Sequence, residues 1–261
     1  MFENIISAVQ KKQPHIHNIT NFVSATDQAN ITLAVGGSPI MASSPKEAAQ
    51  VCSVCDGLVL NTGILTDSAF EAMLYAGEEA NNRNIPIVLD PVGAGVSKFR
   101  TDAIIKIIKT LHLSAIHLNA SELHALCTGK SNPGGVDAFG NFSLDLIISN
   151  SQRLSEYTGA VVAVTGADDV ITQNERNAVV HNGSPMLKKI TATGCMLSSV
   201  MGVYCAAVPD NIFDAVLSAV TLFGVSSQRA WKDGMGLGTY KIKFFDEITY
   251  PDFGGANIEY R

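Results

Sequence analysis

Two carboxylates stand in this sequence where apolar chain gives way to turns. Asp90 closes the run IVLD and is followed by PVGAG; Glu122 lies three residues after Asn119 in NASE, at the end of another apolar run. Together they could hold Mg²⁺, which takes few carboxylates and completes its shell with water and substrate phosphate oxygens. Each also has a plainer reading. Asp90 could cap the helix that follows, and Glu122 could simply be a favourable charge in a first helical turn. A third stretch, TATGC (191–195), reads as a turn that opens a helix, with Gly194 followed by Cys195 and a run of helix formers. The first amides of such a helix carry the positive end of its dipole and can hold an anion, and glycine lets a phosphate approach closely. Donors so placed would act on a transferring phosphoryl group. A thiol at this point is acidified by the same dipole. The plainer reading is a glycine-containing helix start with a buried cysteine. No G-x-x-x-x-G-K-[ST] loop occurs in the chain.

These residues need elements to position them, and the pattern supplies a regular alternation. SPIMA (38–42), GLVLN (57–61), IPIVLDPV (85–92), SAIHLN (114–119) and AVVAVTG (160–166) read as buried strands. Between them SPKEAAQVCSVC, TDSAFEAMLYAGEEANNRN, KFRTDAIIKIIKTLH and FSLDLIISNSQRLSEYTG read as helices, several opening on a Ser, Thr or Asp cap. Repeated strand–helix–strand order predicts an α/β domain with a mostly parallel sheet and helices on both faces. DVITQN and NAVVHNG predict a short hairpin at the sheet edge, followed by two long helices at about 194–208 and 210–231. The segment 130–143, rich in Gly, Pro and Asn, is the one long loop expected. With no linker or repeat, residues 1–261 read as a single domain. In open parallel sheets ligands bind beyond the carboxyl ends of the strands. Asp90, Asn119 and Thr165-Gly166 all fall there.

Composition narrows the partners. Apolar residues make up 46% of the 261 and charged residues 16%, enough for a sizeable core. The net charge of −6, with no basic run longer than Lys11-Lys12 or Lys188-Lys189, argues against nucleic acid. An anionic substrate would then depend on backbone amides or a metal. The start, MFENIISAVQKKQP, reads as an amphipathic helix rather than a signal peptide. No apolar run is long enough to span a membrane, so a soluble, cytoplasmic protein is expected. Five cysteines without an export signal do not suggest disulfides. The Cys52-x-x-Cys55 pair reads as two small residues on a packed helix.

In order along the chain, HIHNITNFV, GGSPIMA, VLDPVGAG, NASE, VVAVTG, NGSP, TATGC and GLGTYKIKFFD closely resemble hydroxyethylthiazole kinases of thiamin salvage, within the ribokinase-like superfamily. The resemblance runs from about His15 to Asp246. It implies transfer of the γ-phosphate of ATP, with Mg²⁺, to the hydroxyethyl group of 4-methyl-5-(2-hydroxyethyl)thiazole. It also implies a homotrimer with active sites between subunits, for which the aliphatic helices 66–80 and 210–225 offer packing faces. By the same resemblance Met41 contacts the thiazole with Asn21 nearby, and Asp90 and Glu122 organise Mg²⁺. Thr165 touches ATP, and Gly194 with its neighbours forms the anion hole. Cys195 falls where most of the superfamily carries an aspartate base, and is expected to orient the hydroxyl and accept its proton without becoming a covalent nucleophile.

The chain departs from the family pattern twice. The family usually reads Arg-Gly-Asn before the acid motif, its arginine contacting ATP phosphates; here the residues are His117-Leu118-Asn119. A neutral histidine offers one donor where arginine offers a charged fork. Glycine is also usual where Ala192 stands, against the thiazole. Two other readings fit parts of the pattern. One is a ribokinase-like kinase of another small heteroaromatic alcohol, against which Met41 and HNITN speak. The other is a non-catalytic nucleotide or thiazole binder, against which Asp90, Glu122 and Cys195 together speak.

Overall fold

The computed structural model describes residues 1–129 and 142–261. The expected loop at 130–143 therefore lies, apart from its last two residues, outside the described residues. In chain order the elements are α1 (Phe2–Lys12), β1 (His15–Ile19), α2 (Ala25–Ala34), β2 (Ser38–Ile40), α3 (Ala48–Cys52), β3 (Gly57–Asn61) and α4 (Asp67–Asn82). They continue through β4 (Ile87–Asp90), α5 (Lys98–Thr110), β5 (Ala115–Asn119), α6 (Ala120–Thr128), α7 (Leu144–Thr158) and β6 (Val161–Thr165). β7 (Asp169–Gln173), β8 (Arg176–Val180), a 3₁₀ turn (Pro185–Lys189), α8 (Thr193–Ala207), α9 (Ile212–Ala230), α10 (Leu237–Thr249) and β9 (Ile258–Tyr260) complete the chain.

Among the described residues the strands form one nine-stranded sheet in the order β2-β1-β3-β4-β5-β6-β7-β8-β9. From β2 to β6 every pairing is parallel, and from β6 to β9 every pairing is antiparallel. Strand side chains alternate between two cores, as the period of two demands. Val59 and Val88 face α1, α2 and α8–α10, whereas Leu58, Leu60, Ile87 and Leu89 face α3–α7. Several helices open on the caps that the sequence offers: Thr66, Ser97 and Ser143 each accept an amide hydrogen from three residues ahead.

The structure differs from the sequence expectation at the margins. SPIMA forms a short, half-buried edge strand rather than a buried one, because only β1 lies beside it. The hairpin β7–β8 is not the sheet edge, since β9 pairs outside it. β1, α2, α10 and β9 carry no periodic signal strong enough to be read as elements. The helix expected to offer a packing face at 210–225 is spent inside the chain: α9 packs against α8, α10 and β6–β8 and is buried from Ala215 through Ser227. Cys52 and Cys55 are buried free thiols whose acidity burial suppresses, to about 12 and about 11.

Candidate active site

The parallel strands end together, and at that edge lies a cavity of about 950 Å³. β4 delivers Asp90 to it, β5 delivers Asn119, and β6 ends on Thr165. α8 closes the opposite wall with its first turn. Its N-cap is Ala192, in the left-handed region at φ 70°, and no side chain caps the helix. The amides of Thr193, Gly194 and Cys195 are thus left without a side-chain acceptor beside a cavity that all three residues line.

Asp90 and Glu122 meet across this edge. Asp90 is 4% exposed and accepts hydrogen bonds on Oδ2 from Asn61 Nδ2 and Ser198 Oγ, both at 2.8 Å. Among the described residues none donates to Oδ1. Glu122 is equally buried. Its Oε2 accepts the Asn119 amide at 2.9 Å in a capping box on α6, and its Oε1 accepts the Gly93 amide at 2.7 Å. The plainer reading of Glu122 therefore holds alongside any other role. Arg100 Nη1 ties the same turns together through Gly63 O and Val92 O at 2.8 and 2.9 Å. Burial pushes the Asp90 carboxyl up to about 7. Burial, opposed by its two amide donors and reinforced by the Asp90 charge, pushes Glu122 to about 8. Two repelling carboxylates lining a cavity, one with an oxygen free of protein donors, fit a divalent cation. No third His, Cys, Asp or Glu converges with them among the described residues, so water and substrate oxygens would complete a magnesium shell.

The remaining residues form a connected polar floor. Asn21 Nδ2 donates to Asn61 Oδ1 at 2.9 Å, and Asn61 in turn donates to Asp90. Beyond Asp90, Ser198 is hydrogen-bonded to His117 Nδ1 at 2.8 Å, and His117 Nε2 to Thr165 Oγ1 at 3.2 Å. His117 is 3% exposed, and burial drives its pKa down to about 4, so it stands as a neutral ring in the floor. Among the described residues the cations lining the cavity are Lys188 and Lys189, on the 3₁₀ turn. On the other side, Gln28 of α2 donates to Cys195 O at 3.0 Å and Ser199 Oγ at 3.1 Å, fixing the first turn of α8 against α2.

Every residue singled out from the sequence lines this cavity except Met41, which follows the edge strand β2 and is 39% exposed. The acidity expected of Cys195 is reversed. Burial and the charge of Asp90 push its thiol up to about 12, outweighing hydrogen bonds from Asn61 and Ser24. Sequence reasoning missed Ser198 and the lysines of the 3₁₀ turn. The signal for Ser198 was the polar pair Ser198-Ser199 inside an otherwise apolar helix, one turn after Cys195.

Comparison with known proteins agrees with this geometry. The model of the hydroxyethylthiazole kinase family matches residues 6–250. A hydroxyethylthiazole kinase of Clostridium botulinum (strain Alaska E43 / Type E3) is 39% identical over 250 residues, 94% of this chain and 90% of that protein. One from Thermoanaerobacter sp. (strain X514) is 40% identical over 250 residues, 95% of this chain and 94% of its own. The solved hydroxyethylthiazole kinase of Pyrococcus horikoshii OT3 superposes with a TM-score of 0.90 at 30% identity, covering 100% of this chain and 98% of that one. A pyridoxal kinase from Staphylococcus aureus, at a TM-score of 0.62 and 15% identity over 95% of this chain and 98% of that chain, shares the ribokinase-like fold. With the family model spanning nearly its whole length and relatives near 40% identity, the chain belongs to the hydroxyethylthiazole kinase family.

Proposed function

We propose that the chain transfers the γ-phosphoryl group of ATP to the hydroxyethyl group of 4-methyl-5-(2-hydroxyethyl)thiazole, as in thiamin salvage. The observation that carries this reading is the facing of two walls: Asp90 and Glu122 at the strand ends, and the uncapped first turn of α8 with Cys195 opposite. Phosphoryl transfer asks a protein mainly for positioning and for charge stabilisation. The amides at 193–195 would receive the moving phosphoryl group, with Gly194 leaving room for close approach. The lysines of the 3₁₀ turn would carry the positive charge that neutral His117 lacks. Mg²⁺ would be held by Asp90 directly and by Glu122 through water, since both Glu122 oxygens already accept amides. When bound it would supply positive charge that neutralises the phosphate groups. Thr165 lines the nucleotide end, and Asn21 and Ala192 the acceptor end. Cys195, as a thiol, would orient the acceptor hydroxyl, whose proton would pass late, in a loose transition state, to an oxygen of the transferred phosphoryl group.

The same reading covers Met41 and assembly. Phe22, Val23, Met41, Ile64 and Val96 are apolar side chains exposed on turns after β1 to β4, on the side of the cavity. A homotrimer with sites between subunits would cover such side chains and bring Met41 to a neighbour's acceptor. Five free cysteines suit the reducing cytoplasm, and no helix among the described residues is long and apolar enough to cross a membrane. The test is direct: purified chain, Mg²⁺-ATP and a panel of small heteroaromatic alcohols, with product mass measured. Phosphorylation of hydroxyethylthiazole ahead of pyridine and pyrimidine methanols is the expected result. Preference for one of those alcohols, or no product, would overturn it.

A further inference from the structure

His117 sits between two hydroxyls, and the hydrogens can be counted. Ser198 has one hydroxyl hydrogen and two acceptors for it, Asp90 Oδ2 at 2.8 Å and Gly194 O at 3.3 Å. The 2.8 Å contact with Asp90 Oδ2 needs that hydrogen, because Oδ2 already accepts from Asn61 Nδ2 and any proton on this carboxyl would sit on Oδ1. Ser198 is then left to accept from His117 Nδ1 at 2.8 Å. The Nδ1 atom must then carry the ring hydrogen. A neutral imidazole has just one, so Nε2 is bare and accepts from Thr165 Oγ1 at 3.2 Å. The hydrogen of Thr165 is committed to the ring, and what its oxygen offers the cavity is lone pairs.

We propose that His117 is a positioning residue, locked as the Nδ1–H tautomer, that ties Ser198 of α8 to Thr165 of β6 and makes Thr165 a hydrogen-bond acceptor toward the nucleotide. In this arrangement Thr165 receives a hydroxyl, amine or water hydrogen and does not donate to a phosphate oxygen. The inference rests on the kinase reading for the identity of the ligand, but not for the direction of the bonds. Three features support it beyond the distances. His117 is 3% exposed and its Nδ1 contact with Ser198 is buried, so water does not replace that partner. Burial disfavours the charged ring, and with it the form that would donate from both nitrogens. The chain also joins elements far apart in sequence, β5, α8 and β6, at the point where the first turn of α8 must be held against the sheet.

The decisive measurement uses the unaltered protein labelled with ¹⁵N-histidine, with the His117 signals assigned by their loss in H117N. The expected spectrum shows a protonated Nδ1 and an unprotonated Nε2 at pH 7, and in T165V the Nε2 signal moves while Nδ1 stays. A protonated Nε2, or a ring carrying both hydrogens, would overturn the proposal. Kinetics give a second arm. H117F should lower kcat/KM for ATP about tenfold in the wild-type background and at least threefold less than that in T165A, with KM for the alcohol unchanged. Equal losses in both backgrounds would mean that the ring meets the nucleotide itself and would overturn the positioning role. A chain that phosphorylates no alcohol yet carries the Nδ1–H tautomer would refute the kinase reading and uphold the direction of the bonds.

Discussion

Cys195 decides between two accounts of how the acceptor hydroxyl loses its proton, and the magnitudes favour one. With its thiol pushed up to about 12 by burial and by Asp90, forming the thiolate at pH 7.5 costs roughly 6 kcal/mol at 1.36 kcal/mol per unit. A positioned general base typically contributes a factor of about 10² to 10⁴, roughly 3–5 kcal/mol. The thiolate route therefore loses more than it gains. Cys195 is then expected to work as a thiol that orients the hydroxyl, with kcat at saturating Mg²⁺-ATP and alcohol levelling off once Asp90 and Glu122, raised to about 7 and about 8, have ionised. C195S keeps that orientation and should hold kcat within about tenfold. C195D is the informative contrast. The same surroundings would raise an aspartate's pKa too, but from a starting value more than about four units below a thiol's, so far more ionised base would be present at pH 7.5 and kcat should be kept or raised. A kcat that climbs tenfold per pH unit through pH 9, together with an inactive C195S, would refute the reasoning and restore the thiolate as base.

Glu122→Gln should lower turnover at least about tenfold, equivalent to roughly 1.4 kcal/mol of barrier, while calorimetry shows alcohol binding nearly unchanged; unaltered kcat with Mg²⁺ at saturating ATP would remove Glu122 from the site. Ala192→Gly should stabilise the fold by about 1 kcal/mol, because a non-glycine residue at φ 70° carries left-handed strain; thermal unfolding should rise by a few degrees, and an equal or lower midpoint would contradict the strain. His181 lies 2.7 Å from Asp168 and 3.6 Å from Glu259 of β9, and the Asp168 hydrogen bond raises its pKa above the usual histidine value. Its contribution is thus full below about pH 6.5 and is lost as pH rises through the raised value. Hydrogen exchange at the β9 amides, corrected for intrinsic rate, should show protection falling between pH 6 and pH 8 in the native chain; the same fall in H181A would sink the assignment.

Much of this could be read in advance. The strands GLVLN, IPIVLDPV and AVVAVTG are near-continuous apolar runs, as strands buried on both faces must be, SAIHLN is interrupted only by His117, and β3 matches its expected bounds residue for residue. Asp90, Asn119 and Thr165 were legible as residues of one edge because each ends such a run and parallel strands end on one side, and all three line the cavity. β1 was not legible, since HIHNI places His17 and Asn18 where an apolar run would be expected. Those polar groups are admitted to the interior by partners distant in sequence: Ala42 O accepts from His17 Nε2 at 2.7 Å, and Ser199 Oγ donates to Asn18 Oδ1 at 3.0 Å. The ionisation of the site was hidden for the same reason. A helix N-terminus alone argues for an acidic thiol, but only the packed structure encloses Cys195, sets Asp90 beside it and reverses the sign. His117 likewise looks like a weakened substitute for arginine until α8 brings Ser198 against it from 81 residues away. Local sequence carries periodicity, caps and strand ends because those depend on near neighbours. Desolvation, Coulomb interaction and hydrogen-bond direction depend on what the fold brings close, and no short stretch of chain contains that information.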